Sequence, residues 1–464
     1  MWLTNHIALI GWIIVSVRLF SSLPPRRAVI LTVMGAFLFL PMSTIPMPLP
    51  FLPDFSKRAV IAYGIILGEL FYGQKIQNPL QLTAYDIPML LFCFVAPMLS
   101  SLSNGLGLYN GAASIIDNFF TYGVLYWAGR RYFGSPSSLR ALTTAMVVGG
   151  LVCVPLVLWE VRMSPQLHTN IYGFFQHSFA QHFRRGGFRP ILFMSHGLMV
   201  ALWMSVTTTL SFWLWQSQSI AKFWKVPAGF AFFALAGSTV LCKSAAALAF
   251  MLLGIFSFFI YKRQYSLKLL KWLILLIPLY IYMRLSDVVT PPAIESVAGQ
   301  FFSEERVASL MVRIMQEDLF GQRAALRPLF GWGWMGRAWP VDPETGERLI
   351  QMVDSFWIII FGTLGFFGLV TVYLALGLGP LSVLVGMVKP LKLAALKESP
   401  FAVDAVVLSI VVAIFLLDTL QNGMVAPIYI LCAGALTSCY LKDGEEDEPE
   451  LMPDIGVSAT GSRG

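Results

Sequence analysis

The chain has 464 residues, of which 57% are hydrophobic and only 12% are charged, and its formal net charge is +7. Soluble globular domains carry about 25% charged residues, and a water-soluble fold could not bury this much apolar surface. The composition therefore excludes a soluble protein and indicates an integral membrane protein. The basic residues occupy short loops and form no basic face with aromatics, so we expect no nucleic-acid partner.

Apolar segments long enough to cross a bilayer recur along the whole chain and favour helices over a barrel. We predict an all-α, polytopic fold with about thirteen transmembrane helices and a large periplasmic loop before a late helix. The predicted spans lie near residues 5–20, 28–44, 59–73, 86–102, 108–128, 141–159, 191–215, 225–241, 244–261, 266–284, 354–388, 401–420 and 424–441. Within 354–388, the Gly377, Gly379 and Pro380 run predicts a kink.

Lysine and arginine in short loops set the predicted orientation, because such loops stay in the cytoplasm. They place the amino terminus outside, and helix alternation then places loops 160–190 and 285–353 on the outer face, together with the Cys242–Ser244 hairpin. Residues 1–441 form the predicted membrane domain. Residues 442–464 form an acidic cytoplasmic tail that we expect to be disordered.

Both long outer loops carry arginine and no lysine. Guanidinium groups bind phosphate oxygens two at a time, so the clusters indicate a phosphate-bearing ligand, although contact with lipid headgroups is the simpler explanation for any single arginine. The outer arginines are Arg162, Arg184, Arg185 and Arg189 in the first loop, and Arg306, Arg313, Arg323, Arg327, Arg337 and Arg348 in the second.

Four histidines, His168, His177, His182 and His196, lie in or just after the first outer loop. Their spacings match no standard zinc pattern, and neither a cysteine nor a carboxylate pair accompanies them. We therefore expect no metal site, and we interpret these residues as packing groups or as hydrogen-bonding groups for a polar ligand.

Five ionisable residues lie within or next to apolar spans, where such groups usually face a cavity or pair with each other. They are Glu69, Asp117, Lys243, Asp404 and Asp418. Lys243 stands out, because the Cys242-Lys243-Ser244 turn is too short to be a solvated loop. It is either a functional cation or a paired structural residue.

The second outer loop contains the run Pro328-Leu329-Phe330-Gly331-Trp332-Gly333-Trp334-Met335-Gly336-Arg337, and Asp354 precedes the next span. Glycines permit a close backbone approach to a ligand. The tryptophans suit stacking on sugar rings, although membrane-interface tryptophans are the ordinary alternative. The run lacks the Lys-Ser/Thr ending of a phosphate-binding P-loop.

These features together resemble the O-antigen ligase and polymerase superfamily, bacterial inner-membrane enzymes that transfer glycans from a polyprenyl-diphosphate carrier. The resemblance covers roughly residues 140–390. It rests on the many-helix plan, the Arg-Gly-Gly-Phe-Arg-Pro run at 185–190, the Cys242–Ser244 hairpin, and the Pro-Leu-Phe-Gly-Trp-Gly element followed by a helix with Gly362, Gly365 and Gly368. The family commonly has Ser-Arg at the hairpin and histidine where Asp354 stands.

The resemblance implies glycosyl transfer at the outer face of the inner membrane, without metal or cofactor. It also implies assembly with other polysaccharide-biosynthesis proteins. Arg185, Arg189, Lys243 and Arg306 would bind the diphosphate, with Arg313 stabilising the leaving group, and Asp354 or Glu305 would accept the acceptor proton. The predicted substrate-binding residues are His182, Trp332, Trp334 and Arg337. A transporter or flippase of a lipid-linked saccharide is the alternative, since it would use the same outer cations for binding alone.

Overall fold

The structure, a computed structural model, describes residues 2–73, 82–184, 186–264, 269–301, 303–342, 344–349, 353–385 and 400–438. The chain is mostly helical, with 73% helix and 3% strand. The predicted tail 442–464 lies outside the described residues.

The first eight helices form the amino-terminal third of the bundle. They are α1 (Trp2–Ser22), α2 (Pro25–Phe39), α3 (Lys57–Tyr72), α4 (Ile87–Leu90), α5 (Ala96–Ser103), α6 (Gly107–Asn118), α7 (Val124–Tyr132) and α8 (Pro136–Met163). A π-helical turn, Leu91–Val95, joins α4 to α5, and a second, Phe119–Gly123, joins α6 to α7.

Eleven further helices complete the described chain. They are α9 (Leu167–Tyr172), α10 (Gly197–Gln216), α11 (Ala228–Leu241), α12 (Ala245–Gln264), α13 (Trp272–Leu285), α14 (Pro291–Phe301), α15 (Glu304–Ala325), α16 (Met335–Ala338), α17 (Phe356–Leu384), α18 (Pro400–Asp418) and α19 (Pro427–Ser438). Three two-stranded hairpins pair β1 (Thr44–Ile45) with β2 (Phe55–Ser56), β3 (Phe183–Arg184) with β4 (Gly187–Phe188), and β5 (Lys222–Phe223) with β6 (Val226–Pro227).

Each predicted span overlaps a helix or a π-joined helix pair. Among the described residues, five helices are long and apolar enough to cross a membrane, and they begin at Leu3, Pro136, Gly197, Ala245 and Phe356. Four shorter apolar helices accompany them. A membrane protein is therefore indicated, whereas the number of thirteen spans stays a prediction.

Helix α10 forms the centre of the bundle and packs against α8, α11, α12 and α18. Its Trp203 and Trp213 side chains are fully buried. A helix that is apolar all round is buried by its neighbours rather than amphipathic. Helix α10 is therefore held in place by its four neighbours, and it anchors the residues that come just before it.

Two of the ionisable residues predicted near spans form structural pairs. Glu69 Oε2 lies 3.1 Å from Arg131 Nη2, and Asp404 Oδ2 lies 2.6 Å from Arg140 Nε. Asp404 also accepts a hydrogen bond from the Thr143 hydroxyl at 2.8 Å. Both carboxylates therefore join helices within the bundle.

Helix α17 is interrupted, but not where the sequence predicted. Gly365 has φ 67° and ψ −166°, outside the helical region, while Pro380 lies inside the helical run. Only glycine adopts this conformation without strain. The structure thus has a break one third of the way along the helix, at Gly365, while the expected kink at Gly377 to Pro380 stays a prediction.

Candidate functional site

Arg189 is the more deeply buried of the two predicted diphosphate ligands whose side chains the structure describes, with only 2% of its surface exposed. It follows the β3–β4 hairpin, and its backbone N–H donates to the carbonyl oxygen of His182 at 2.7 Å. Its side chain passes directly over Gly197, where a β-carbon would come within 2.8 Å of the arginine Cγ. Gly197 therefore makes room for the guanidinium stem.

Glu160 at the end of α8 fixes the segment that leads from Arg189 into α10. Its Oε2 atom accepts hydrogen bonds from the backbone N–H groups of Ile191 and Leu192, both at 2.8 Å, and Oε1 accepts from Leu167 at 3.1 Å. Glu160 is fully buried. Sequence reasoning missed it; the signal was a carboxylate within the last turn of an apolar span, just before a polar loop.

Lys243 lies at the hairpin between α11 and α12, in the left-handed region with φ 51°. Its carbonyl oxygen accepts a hydrogen bond from Arg189 Nη2 at 3.1 Å, and its Nζ atom occupies the space that a β-carbon at Gly187 would need. The β3–β4 hairpin and the α11–α12 hairpin are thus in direct contact. Two residues predicted to bind one diphosphate, Arg189 and Lys243, are therefore in contact through the Lys243 backbone.

Arg313 and Asp354 face each other across the same region, with Nε and Oδ2 separated by 3.5 Å. Both side chains are partly exposed, at 26% and 41%. Arg313 also lines a cavity of about 190 Å³ between α10, α12, α15 and α18, together with Ser244 and Asp418. Ser244, which follows Lys243, and Arg313, which is predicted to stabilise the leaving group, therefore line the same cavity.

A buried hydrogen-bond network anchors α15 and so positions Arg313. Glu317, one turn after Arg313, accepts hydrogen bonds from Ser355 (3.0 Å), Gln421 (2.9 Å) and Tyr280 (2.9 Å), and it pairs with Arg284 Nε at 3.2 Å. Burial raises the pKa of Glu317, and the hydrogen bonds from Tyr280, Ser355 and Arg284 oppose that rise. Sequence reasoning missed Glu317, because 285–353 was interpreted as a loop; its place in the apolar stripe of a helix was the available signal.

His177, His182 and His196 form a cluster beside Arg189. The ring centroids of His177 and His196 are 4.5 Å apart. The ring centroid of His182 lies 5.7 Å from that of His177 and 5.6 Å from that of His196. His196 is the N-cap of α10, and its Nδ1 accepts from the N–H of Leu198 at 3.0 Å. Burial lowers the pKa of His196 to about 3, reinforced by His177, Arg189, His182 and Arg313. This imidazole is therefore neutral at neutral pH.

The tryptophan element of the late loop lies apart from this cavity. Trp332 is covered by Arg323, whose Cζ lies 3.8 Å from the ring centroid, and its Nε1 donates to the Arg323 carbonyl at 3.0 Å. About ten residues of α15 separate Arg323 from Arg313, which is roughly 15 Å of helix. Trp334 is 54% exposed, and the Arg337 carbonyl accepts from Arg323 Nη2 at 3.4 Å. The structure thus groups Trp332 and Arg337 around Arg323, away from Arg313.

This element packs against the interruption in α17. The N–H groups of Trp332 and Gly333 donate to the carbonyl oxygens of Gly362 and Thr363, at 2.8 Å and 2.9 Å, and Phe366 N–H donates to Pro328 at 2.7 Å. The break at Gly365 leaves helical backbone groups without their usual partners, and the loop satisfies them. The glycines of this run thus allow the backbone of the loop to lie close to the backbone of α17.

Three predicted site residues have no described side-chain geometry. Arg185 lies outside the described residues. Glu305 and Arg306 fall in the first turn of α15, and only their backbone is described. Their predicted roles stay predictions.

An apolar groove of about 470 Å³ runs between α13 and α17, and its inner wall includes Leu416 of α18. The next two residues, Leu417 and Asp418, line the cavity that contains Arg313. Tyr373 of the groove also shares a 2.9 Å hydrogen bond with the Thr419 hydroxyl. The apolar groove and the cavity that contains Arg313 and Asp418 are therefore on neighbouring faces of the end of α18.

Comparison of the chain with protein-family models, with curated proteins and with solved structures finds no match.

Proposed function

We propose that this chain is a glycosyltransferase of the bacterial inner membrane, acting at its outer face on a glycan linked to polyprenyl diphosphate. The acceptor is a hydroxyl group on a growing glycan or on a lipid-linked sugar. The observation that carries the proposal is the convergence of Arg189, Lys243 and Arg313, which come from three distant segments, around one partly buried region.

Permanently charged guanidinium groups suit a diphosphate, because their planar N–H pairs match phosphate oxygens. Collecting cations in one place costs electrostatic repulsion, and an anionic ligand offsets that cost. The neighbouring apolar groove of about 470 Å³ supports a carrier with a hydrocarbon tail, since the tail could lie in the groove while the diphosphate reaches the cations.

In the proposed reaction, the acceptor oxygen attacks the anomeric carbon of the donor glycan while the bond from that carbon to the diphosphate oxygen breaks. The acceptor proton passes to the Asp354 carboxylate, which is 41% exposed and held 3.5 Å from Arg313. Negative charge grows on the departing diphosphate. Fixed cations in a partly dry site stabilise that charge more than water does.

The test uses purified protein, a synthetic polyprenyl-diphosphate oligosaccharide and a defined acceptor, and it measures both released polyprenyl diphosphate and elongated glycan. We expect Arg313→Gln to lower kcat by about 100-fold to 1000-fold. Arg348→Gln, an exposed arginine in the same outer region, is the matched control and should retain activity.

Asp354→Asn should lower kcat by at least about 100-fold and leave KM nearly unchanged, as expected for a general base. Asp287→Asn, also exposed and in the same region, is its control. Full turnover by both Arg313→Gln and Asp354→Asn would contradict the assignment. Movement of the lipid-linked saccharide across a vesicle membrane, driven by an ion gradient and with no bond cleavage, would favour the transporter alternative.

A further inference from the structure

The three clustered histidines lie beside the cations of the proposed site but have no part in the mechanism above. One ring nitrogen from each of His177, His182 and His196 lies within 4.8 Å of the others. His182 is fully buried and the other two are partly buried. Two explanations compete: the cluster holds a metal ion, or it holds an oxygen atom of an anionic ligand.

The tautomer of His196 opposes a metal ion. Its Nδ1 lone pair accepts the hydrogen bond from Leu198 N–H at 3.0 Å, so the neutral ring carries its proton on Nε2. A protonated Nε2 donates a hydrogen bond and cannot ligate a metal. Metal binding at His196 would therefore have to break the N-cap of α10.

The surrounding charge also opposes a metal ion. Arg189 and Arg313 are both close enough to His196 to act on its charge, and the histidines themselves supply no negative charge. The carboxylate of Asp354 lies 3.5 Å from Arg313 and offsets part of this positive charge, but the histidines add no carboxylate that would balance a dication, whereas an anion would be attracted to the guanidinium groups.

The spacing of the nitrogen atoms also accommodates an oxygen atom. Three N–H donors around one oxygen, each at about 2.8 Å, lie roughly 4.6–4.8 Å apart. One ring nitrogen from each of the three histidines lies within 4.8 Å of the others, which is consistent with that arrangement.

From these observations we infer that His177, His182 and His196 form a hydrogen-bonding cradle for one phosphoryl oxygen of a diphosphate, next to the Arg189 guanidinium. Within the described part of the chain, the Nδ1 atom of His177 is buried and has no hydrogen-bond partner, as a group reserved for a ligand would be. The inference rests on the proposed function, because it assigns the same diphosphate a second set of ligands.

The test measures binding of inorganic diphosphate to the full-length protein in detergent by isothermal titration calorimetry. His196→Asn is the decisive variant, because asparagine is a good N-cap and preserves the start of α10 while it removes the Nε2–H donor. His177→Phe keeps a ring of similar shape without nitrogen. We expect each to weaken binding by about 10-fold to 100-fold. His6→Gln in α1 is the control and should bind like the wild type.

The possible failures are distinguishable. If Arg189→Gln loses diphosphate binding while His196→Asn and His177→Phe bind like the wild type, the histidine cradle is wrong and the proposed function stands. If the wild type binds no diphosphate, both are wrong. Stoichiometric Zn²⁺ binding that disappears in His177→Phe would establish the metal explanation and overturn the cradle.

Competition identifies the source of the phosphate. Polyprenyl diphosphate should displace inorganic diphosphate, and vesicles of phosphatidylglycerol should not. Equal displacement by phosphatidylglycerol would overturn the assignment in favour of a lipid-headgroup site. Thermal unfolding of each variant should stay within a few degrees of the wild type, so that any loss of binding reports on the ligand contact.

Discussion

The guanidinium of Arg189 donates a hydrogen bond to the backbone carbonyl oxygen of Lys243 at 3.1 Å, across 54 residues of sequence. This contact joins the loop of residues 160–190 to the α11–α12 hairpin. It is possible only because two glycines, Gly197 and Gly187, leave space for the two cationic side chains. The position of the charges therefore depends on residues that carry no charge.

Gly197→Ala should displace the Arg189 side chain. A β-carbon there would meet the arginine stem and the carbonyl oxygen of Pro190, at 2.8 Å and 2.9 Å. We expect turnover to fall by at least about 10-fold, because an angstrom-scale misplacement of a binding group is enough to slow catalysis. Gly237→Ala in α11 has no atom within 4 Å and is the matched control. Equal activity of the two variants would show that the position of Arg189 is unimportant.

Gly365→Ala should destabilise the protein strongly. The residue has φ 67° and ψ −166°, and a β-carbon there would meet the backbone of Leu329 and Phe330. We expect a loss of about 3 kcal/mol or more in unfolding free energy, from backbone strain and displacement of the late loop. Gly377→Ala in the same helix, where the nearest contact is an ordinary 3.5 Å, should change stability by less than about 1 kcal/mol. A larger loss of stability in Gly377→Ala than in Gly365→Ala would contradict the assignment of backbone strain to Gly365.

Glu317→Leu should loosen α15 and with it the position of Arg313. The substitution removes the acceptor of the Tyr280, Ser355 and Gln421 hydrogen bonds and leaves the buried Arg284 guanidinium with Asp318 as its carboxylate partner; each buried polar group left unsatisfied costs about 1–3 kcal/mol. Hydrogen exchange should increase along residues 304–325. Glu295→Leu, an exposed position in α14, is the control and should exchange like the wild type. Unchanged protection in Glu317→Leu would mean that other contacts hold the helix.

We expect the folded protein to become less stable as the pH falls, because the buried His168 ring must stay neutral. Its Nε2 accepts the Met42 N–H at 3.2 Å, and its Nδ1 bonds the Phe174 carbonyl at 2.9 Å, which requires the neutral ring. Burial lowers the pKa of His168 from 6.5 to about 4. Above pH 6.5 the His168 ring is neutral in both the folded and the unfolded chain. Between pH 6.5 and pH 4 the ring takes up a proton in the unfolded chain only. The folded state should therefore lose up to about 3 kcal/mol between pH 6.5 and pH 4.

Thermal unfolding in detergent across this pH range checks the His168 prediction. His168→Gln should be less stable at neutral pH but should lose less stability between pH 6.5 and pH 4. A variant with the same pH dependence as the wild type would assign the effect to other groups.

Hydropathy located the helices well, because an apolar run in lipid has to satisfy its backbone hydrogen bonds internally. It failed within residues 285–353, where α14 and α15 were interpreted as loop. Those helices are amphipathic or polar, so a search for continuous apolar runs passes over them. The sequence also did not indicate the break at Gly365, because that break depends on the close packing of Leu329 and Phe330 against this glycine, which is a tertiary contact.

The sequence alone determined that the chain is helical and suited to a membrane, since composition and the length of apolar runs are local properties. It also identified Arg189, Lys243, Arg313 and Asp354 as unusual charges. Only the tertiary structure decided which of them meet. It joined Arg189 to Lys243 and Arg313 to Asp354, brought three histidines together, and kept Trp332 apart. Contacts between distant segments depend on how helices pack, and that information is spread over many buried residues rather than written in any one motif.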